Sequence, residues 1–529
     1  MSRRLVLGSA VLLLAIAGGL PVVAMLAQAF FAGGRFDPAP LAGLLTDAGT
    51  WRLLGSSILL AAAVALAACA AGIPLGVLLA RTDLPGRRLL AALFTVPLLL
   101  PPWVLAVAWA ALAGREGLLA PVVGPGAALA LDRFLYGPGG CVLVLGTAFL
   151  PVPLLLTMAA LAEIDPRLEE AGRLHAGWGT VLVRISLPLA LPGLLLAAVL
   201  VFLLALGEFT VPGFFRVDVF ATRSLERFAA FYDVRGATAA ALPLAAAALL
   251  VLPLESAFLG RRGAPLPGAG TRRRTVPLGR FRAPALAGVL FVAGVLVALP
   301  LSALAARAAA PGAFREALAR AGDALPRTIA WSVTGASLLL LGGVLLGLVV
   351  GRRELPGWRA VDGLALFLFA LPGAVTGIGL VALWNRPATA FLYGTPLVVL
   401  LGWFARYAAL PLRVTTAHLR GIPPALEEAA RLAGASWWLR TRRVTLPLLG
   451  RGLFLAWIVG YVFCARDTAI AMLVYPPGRD TLPVRIVTLM ANGTPGMVAA
   501  LCLLATGVVL LPVAVVLPVL AISGREDRR

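Results

Sequence analysis

Residues 161–174 read LAEIDPRLEEAGRL and residues 419–432 read LRGIPPALEEAARL, identical at nine of fourteen positions. Such a match within one chain marks an internal repeat, and a repeat sets the architecture before any single helix is considered. Two further pairs extend it. Arg81-Thr-Asp-Leu-Pro-Gly-Arg-Arg88 recurs as Arg352-Arg-Glu-Leu-Pro-Gly-Trp-Arg359, and Leu20-Pro21-Val22-Val23-Ala24-Met25-Leu26-Ala27 recurs as Leu299-Pro300-Leu301-Ser302-Ala303-Leu304-Ala305-Ala306. The separation drifts from 279 to 271 to 258 residues along the chain, as loop insertions would produce.

What repeats is a block of membrane spans. The 529 residues are 60% hydrophobic and 13% charged, with mean hydropathy +0.96. A soluble domain is about a quarter charged, so a soluble globular enzyme is excluded. Twelve predominantly apolar stretches approach the ~20 residues a spanning helix needs. They lie at 5–31, 54–79, 89–113, 141–161, 189–211, 238–259, 284–309, 327–350, 361–384, 396–416, 451–474 and 496–522. The expectation is an all-α polytopic membrane protein of about twelve helices. Prolines inside these runs, such as Pro74, Pro97, Pro243 and Pro372, are tolerated in packed transmembrane helices. Gly72-x-x-x-Gly76 and Gly343-x-x-x-Gly347 suit close helix contact.

The repeat then predicts two six-span halves, 1–260 and 284–529, joined by a basic linker at 261–283. Six is even, so both halves enter from one side as parallel repeats with the pathway between them. Arginines set the orientation. With both termini in the cytoplasm, inside segments carry 26 arginines and outside segments 13, the direction the positive-inside rule requires. Ala27-Gln28-Ala29 resembles a signal-cleavage site, but the apolar run before it is long for a signal peptide. Its counterpart also recurs mid-chain, so span one is expected to remain.

All 45 basic residues are arginine, against 24 acids. They lie in short gaps between apolar runs and offer no solvated face for nucleic acid. The missing lysine also removes any Walker A loop. Cys69, Cys141, Cys464 and Cys502 form no CxxC, His175 and His418 are far apart, and neither set has metal-ligand spacing. No catalytic group, cofactor or fixed metal is expected.

The repeated loops carry the sharpest signal. Each lies between the fourth and fifth spans of its half, on the cytoplasmic side. In the first, Asp165 can cap and Pro166 open a short helix bearing Glu169, Glu170 and Ala171, with Gly177 placed to stop it. In the second, Pro424 opens and Gly434 stops a helix bearing Glu427, Glu428, Ala429 and Ala430. Each continues through an arginine-bearing stretch to Leu187-Pro188 or Leu446-Pro447. A short helix with exposed acids and small alanines fits another protein's groove; a single copy could equally be a solvated loop, but two at matching topology favour docking.

Glu-Ala-Ala, three residues, Gly, nine residues and I-x-L-P resembles the EAA loop of binding-protein-dependent ABC importer permeases. The second loop (417–450) fits through Glu428-Ala429-Ala430, Gly434, Val444 and Leu446-Pro447. The first (162–188) has Gly172 for the second Ala and is one residue shorter. The resemblance implies an inner-membrane permease whose docking residues are Glu169, Glu170, Ala171, Gly177, Glu427, Glu428, Ala429, Ala430 and Gly434. Its partners would be a cytosolic ABC ATPase dimer and a periplasmic solute-binding protein. Two outer stretches, 208–212 through 227–233 and 475–485, resemble the fused iron(III) permeases, so ferric iron is the expected solute. Thiamine and phosphonate permeases share the fused layout and remain alternatives.

Charges inside a membrane are costly and mark function. At the offset of 259 set by Pro188 and Pro447, Glu208 aligns with Asp467, both near the outer end of a fifth span. They could attract a cation along the pathway, or each could stabilise a helix end, Asp467 with Arg466 for instance. Arg406, inside the tenth span, needs a partner. A twelve-span secondary transporter is the competing class. It would want coupling acids within several spans and no paired docking helices.

Overall fold

The computed structural model describes residues 3–32, 35–37, 39–223, 226, 234–249 and 275–526. The chain is an all-α polytopic membrane protein; beside the helices the described residues hold one hairpin, Phe31–Ala32 paired with Arg35–Phe36. Its element order runs twice. Arg3–Leu14, a π turn at Ala15–Gly19 and Leu20–Phe30 reappear as Arg282–Ala293, a π turn at Gly294–Ala298 and Leu299–Ala308. The long helix Ala48–Arg81 has Ala324–Gly351 as its counterpart. The loop helix Pro166–Arg173 matches Pro424–Leu432.

Proline explains the π turns. Two more lie at Leu182–Ser186 and Thr441–Thr445, and each of these four among the described residues is followed at once by Leu-Pro: Leu20-Pro21, Leu187-Pro188, Leu299-Pro300 and Leu446-Pro447. Proline has no N–H to donate, and its ring crowds the carbonyl four residues back. Widening the preceding turn to the π form accommodates that ring without breaking the helix.

Glycine explains the closest packing. A Cβ on Gly72 would lie 2.7 Å from Pro153 Cγ, and one on Gly76 2.8 Å from Thr157 Cβ. In the second half the same construction puts Gly343 2.3 Å from Pro411 Cγ and Gly347 2.6 Å from Thr415 Cβ. Both glycine pairs therefore seat the second span against the equivalent helix, Pro151–Ala162 or Ala409–Arg420.

The first span of each half is exchanged. Leu20–Phe30 packs on Gly373–Trp384 of the second half, while Leu299–Ala308 packs on Pro102–Ala113 of the first. Gln28 Nε2 donates to Ala382 O at 2.9 Å, and Arg3 forms an ion pair with Glu354 across the same seam. The two halves thus share one interior.

Two of the expected spans are not straight. The stretch 89–113 is Arg87–Leu99 and Pro102–Ala113 bent by 101°, and 361–384 is Trp358–Ala370 and Gly373–Trp384 bent by 110°. Pro101-Pro102 and Pro372 lie at the breaks, where the missing donors end the first helix and proline opens the second. Hydropathy is blind to such a break because both arms are apolar. Among the described residues seven helices are long and apolar enough to span, or up to eleven if each of four bent pairs is one span. The expected span 238–259 is represented by Val234–Leu249, its remainder lying outside the described residues, as does most of the expected linker 261–283. The linker's end is placed: Val276 bridges Thr82, and Leu278 N donates to Asp83 Oδ1 at 3.0 Å.

Candidate functional site

At the expected cytoplasmic end, the two loop helices are anchored alike. Asp165 accepts from Arg167 N at 3.0 Å and starts Pro166–Arg173. Glu169 turns inward, 7% exposed, and meets Arg81 Nη2 at 2.8 Å; Ser186 Oγ donates to the same carboxylate oxygen at 2.7 Å. Arg81 also donates to Leu161 O at 2.8 Å. In the second half Glu427 Oε1 takes Arg352 Nη2 at 2.8 Å and Arg352 Nε at 3.1 Å, with Thr445 Oγ1 at 3.5 Å. The first glutamate of each pair is thus an anchor between loop helix, second span and fifth span. Arginine suits this position because its planar fork reaches carboxylate and carbonyl together.

The second glutamate of each pair faces solvent. Glu170, Ala171, Glu428 and Ala429 are exposed, and Ala430 is half-buried. Beside them stand Leu168, Leu174, Leu426 and Leu432; Leu174 is 81% and Leu432 86% exposed. Exposed leucines at matching positions give both helices the same apolar rim.

The stop signals differ between the copies. Gly434 has φ +79°, follows Pro424–Leu432, and lets Ala435 N reach Ala430 O at 3.0 Å, the left-handed termination that glycine favours. Gly177 does not end its helix. It has φ −69° and caps the next helix, Trp178–Val181, while Pro166–Arg173 already closes at Leu174. At Gly172, where the resemblance implies alanine, a Cβ would lie 2.5 Å from Ile185 Cδ1, the movable tip of that side chain. The second copy pairs Ala430 with the smaller Val444 in sequence.

Between the halves, Glu208 and Asp467 line one cavity of about 80 Å³ together with Trp103, Arg406, Tyr407, Arg466 and Thr468. Both acids are committed to helix ends. Glu208 Oε1 accepts from Thr210 N at 2.8 Å and from the Thr210 hydroxyl, opening Thr210–Phe214. Asp467 Oδ1 accepts from Ile470 N and Ala471 N, both at 3.1 Å, opening Ala469–Val474. Tyr407 donates to Asp467 Oδ2 at 2.7 Å. The partner of Arg406 is Asp467, at 3.8 Å. The expected pairing of Asp467 with Arg466 does not form: Arg466 donates instead to Leu98 O, at the bend of the third span.

The outer stretch 475–485 is a clasp. Asp480 receives Arg485 Nε at 2.7 Å and lies 3.6 Å from Arg327 Nη1, while Arg485 Nη1 donates to Ala321 O at 3.0 Å. Residues 227–233 of the other outer stretch lie outside the described residues. No group of three His, Cys, Asp or Glu able to hold a metal occurs among the described residues.

A doubled helical bundle with paired loop helices and an inter-half cavity defines a two-half transport permease. No family model matches the chain. It is similar over 88% of its length, at 24% identity and 76% coverage of the relative, to a Haemophilus influenzae protein assigned as ferric transport system permease protein FbpB 1. It is 25% identical to the ferric transport system permease protein FbpB of Actinobacillus pleuropneumoniae, over 87% of this chain and 70% of that one. The molybdenum transport system permease protein ModB of Escherichia coli is 32% identical across 31% of this chain and 71% of its own. The chain belongs to the ABC importer permeases. As such it is a transport component of a multi-pass inner-membrane system that works with an ATPase and a binding protein.

Proposed function

We propose that this permease moves ferric iron from a periplasmic binding protein to the cytoplasm. The support for iron is that two relatives matched along most of the chain carry ferric transport names. In this reading residues 1–260 and 284–529 are the two halves, 261–283 is their cytoplasmic linker, and both termini are cytoplasmic. Glu170, Ala171, Glu428, Ala429 and Ala430, with the rim leucines, present the loop helices to a cytosolic ATPase dimer. Glu169 and Glu427 hold those helices to the spans, and Gly434 gives the second its blunt end.

The observation that carries the coupling role is the pair of matching anchors, Arg81–Glu169 and Arg352–Glu427. A loop helix tied to a span by an ion pair, buried in the first copy and half-buried in the second, moves with that span. Each anchored span packs through its glycine pair on the helix before the loop, so a displacement of the ATPase subunits reaches the inter-half cavity through rigid contacts. The glycines leave no slack for it to dissipate. Glu208 and Asp467 lie where that displacement would open or close the path. Uptake of radiolabelled iron into cells expressing the permease with its ATPase and binding protein tests the assignment. Uptake of 2-aminoethylphosphonate without iron, as the names of relatives 28% identical over 44% of the chain suggest, would replace the solute and leave the permease role.

A further inference from the structure

We infer that the inter-half cavity is an oxyanion site formed by Arg406 and Arg466. The proposal rests on the importer reading and specifies the form in which the solute crosses: bearing an anionic oxygen group rather than as a bare cation.

The argument is a donor and acceptor count. Two guanidinium groups supply ten N–H donors. Among the described residues Arg466 makes one hydrogen bond, to the Leu98 carbonyl, and its guanidinium also stacks over Phe463 at 5.1 Å. Among the same residues Arg406 makes none; it approaches Asp467 only at 3.8 Å and stacks over Tyr407 at 5.5 Å. Of the four carboxylate oxygens nearby three are engaged, and Glu208 Oε2 accepts from no described residue. Asp467 Oδ1 holds two backbone N–H groups and Oδ2 holds the Tyr407 hydroxyl, while Glu208 Oε1 serves Thr210. Donors therefore greatly exceed open acceptors in a space lined by both halves. Arginine's fork is the side chain best matched to phosphate-like and carboxylate groups.

The surroundings leave room for these guanidiniums. Gly373 opens the helix after the 110° bend, and a Cβ there would lie 2.0 Å from Arg406 Nη1. Glycine at that position lets the guanidinium lie against the backbone. Trp103 closes the facing wall, its Nε1 donating to Thr468 Oγ1 at 3.1 Å. The same residue also lines an outer cavity of about 520 Å³ with Phe209, Thr210 and Arg216, which gives the site an approach from the expected periplasmic side.

Equilibrium binding to the purified full-length chain in lipid nanodiscs tests the site, with inorganic [32P]phosphate as one probe and ferric pyrophosphate labelled with 55Fe and 32P as the other. Saturable binding is expected, weakened about tenfold or more by Arg466→Gln or by Arg406→Gln, as loss of charge-assisted bonds implies. Arg466→Lys, which keeps the charge, should bind between the two, and Arg133→Gln, at an exposed position outside both cavities, should bind as wild type. Phosphate bound alone identifies a free oxyanion; both labels bound only together identify an oxyanion carried as the metal's ligand. Retention of 55Fe without 32P, no saturable binding of either probe, or equal binding by monodisperse Arg466→Gln and wild type would overturn the site. Failure of an ATPase to co-purify would instead defeat the importer reading, whatever the probes show.

Discussion

Arg81 and Glu169, 88 residues apart in sequence, form a 2.8 Å ion pair buried where the first loop helix meets the second span. The partner copies Arg352 and Glu427 form the same pair at 2.8 Å with more solvent around it. Breaking a buried pair by removing one partner costs about 3–5 kcal/mol, because a charge is left unpaired. Glu169→Ala is therefore expected to loosen the first loop helix, raising amide exchange across 166–174 with the rest of the chain unchanged. The Arg81→Glu, Glu169→Arg double exchange should recover part of that protection. Glu427→Ala should cost less, since solvent partly replaces the lost partner. Unaltered exchange in Glu169→Ala would remove the anchor from the account.

The two loop glycines separate a conformational requirement from a sequence likeness. Gly434→Ala forces an alanine into φ +79° and should cost about 1–2 kcal/mol in local stability, weakening ATPase binding. Gly177→Ala, at φ −69°, should bind the ATPase as wild type. Comparing ATPase retained on the immobilised permease checks both, and equal retention by Gly434→Ala would dismiss the termination argument. Replacing Glu428 together with Gly434 should weaken retention further while leaving the permease inserted.

The close helix contacts predict a steep size dependence. Gly347→Leu would drive a side chain into Thr415, whose Cβ is already 2.6 Å from the position of an added Cβ. Overpacking of this kind typically costs 1–3 kcal/mol, roughly, and should lower the melting temperature of the detergent-purified chain. Gly363→Leu, where an added Cβ meets nothing within 4 Å, should leave it unchanged.

Asp480→Asn tests the outer clasp. It removes the carboxylate shared by Arg327 and Arg485 and should increase proteolytic cleavage within 475–485. ATPase retention should be unaffected, because the proposed docking surface is on the loop helices 166–173 and 424–432, which this change does not touch. Unchanged cleavage would mean that the bonds Arg485 Nη1 donates to the Arg320 and Ala321 carbonyls suffice to hold the segment.

Much of this was legible in the sequence because hydropathy, repeats and helix-end chemistry are local properties. The membrane class, the doubled order and the start of each loop helix at Pro166 or Pro424 follow from residues close together in the chain. The bends at Pro101-Pro102 and Pro372 were not, since proline inside an apolar run is compatible with both a straight and a broken span. Nor were the anchors. Glu169 and Glu170 are adjacent and identical in type, and only the rotation of the helix against Arg81 turns one inward and the other out. A signal was nevertheless present: Arg81 and Arg352 open a repeated motif at the end of an apolar run, where a buried arginine needs an acid. Arg406 and Asp467 meet only through the fold, 61 residues apart, so no spacing rule links them.

The central claim is that ATP hydrolysis by a separate subunit drives solute through this chain. Its most direct test is the ATPase rate of the complex reconstituted in proteoliposomes, measured with and without ferric-loaded periplasmic binding protein. The account predicts that the loaded binding protein raises hydrolysis and that iron accumulates on the ATPase side, both effects weakening together in the Glu428 and Gly434 double variant. Solute accumulation driven by an ion gradient with no ATPase bound would contradict it.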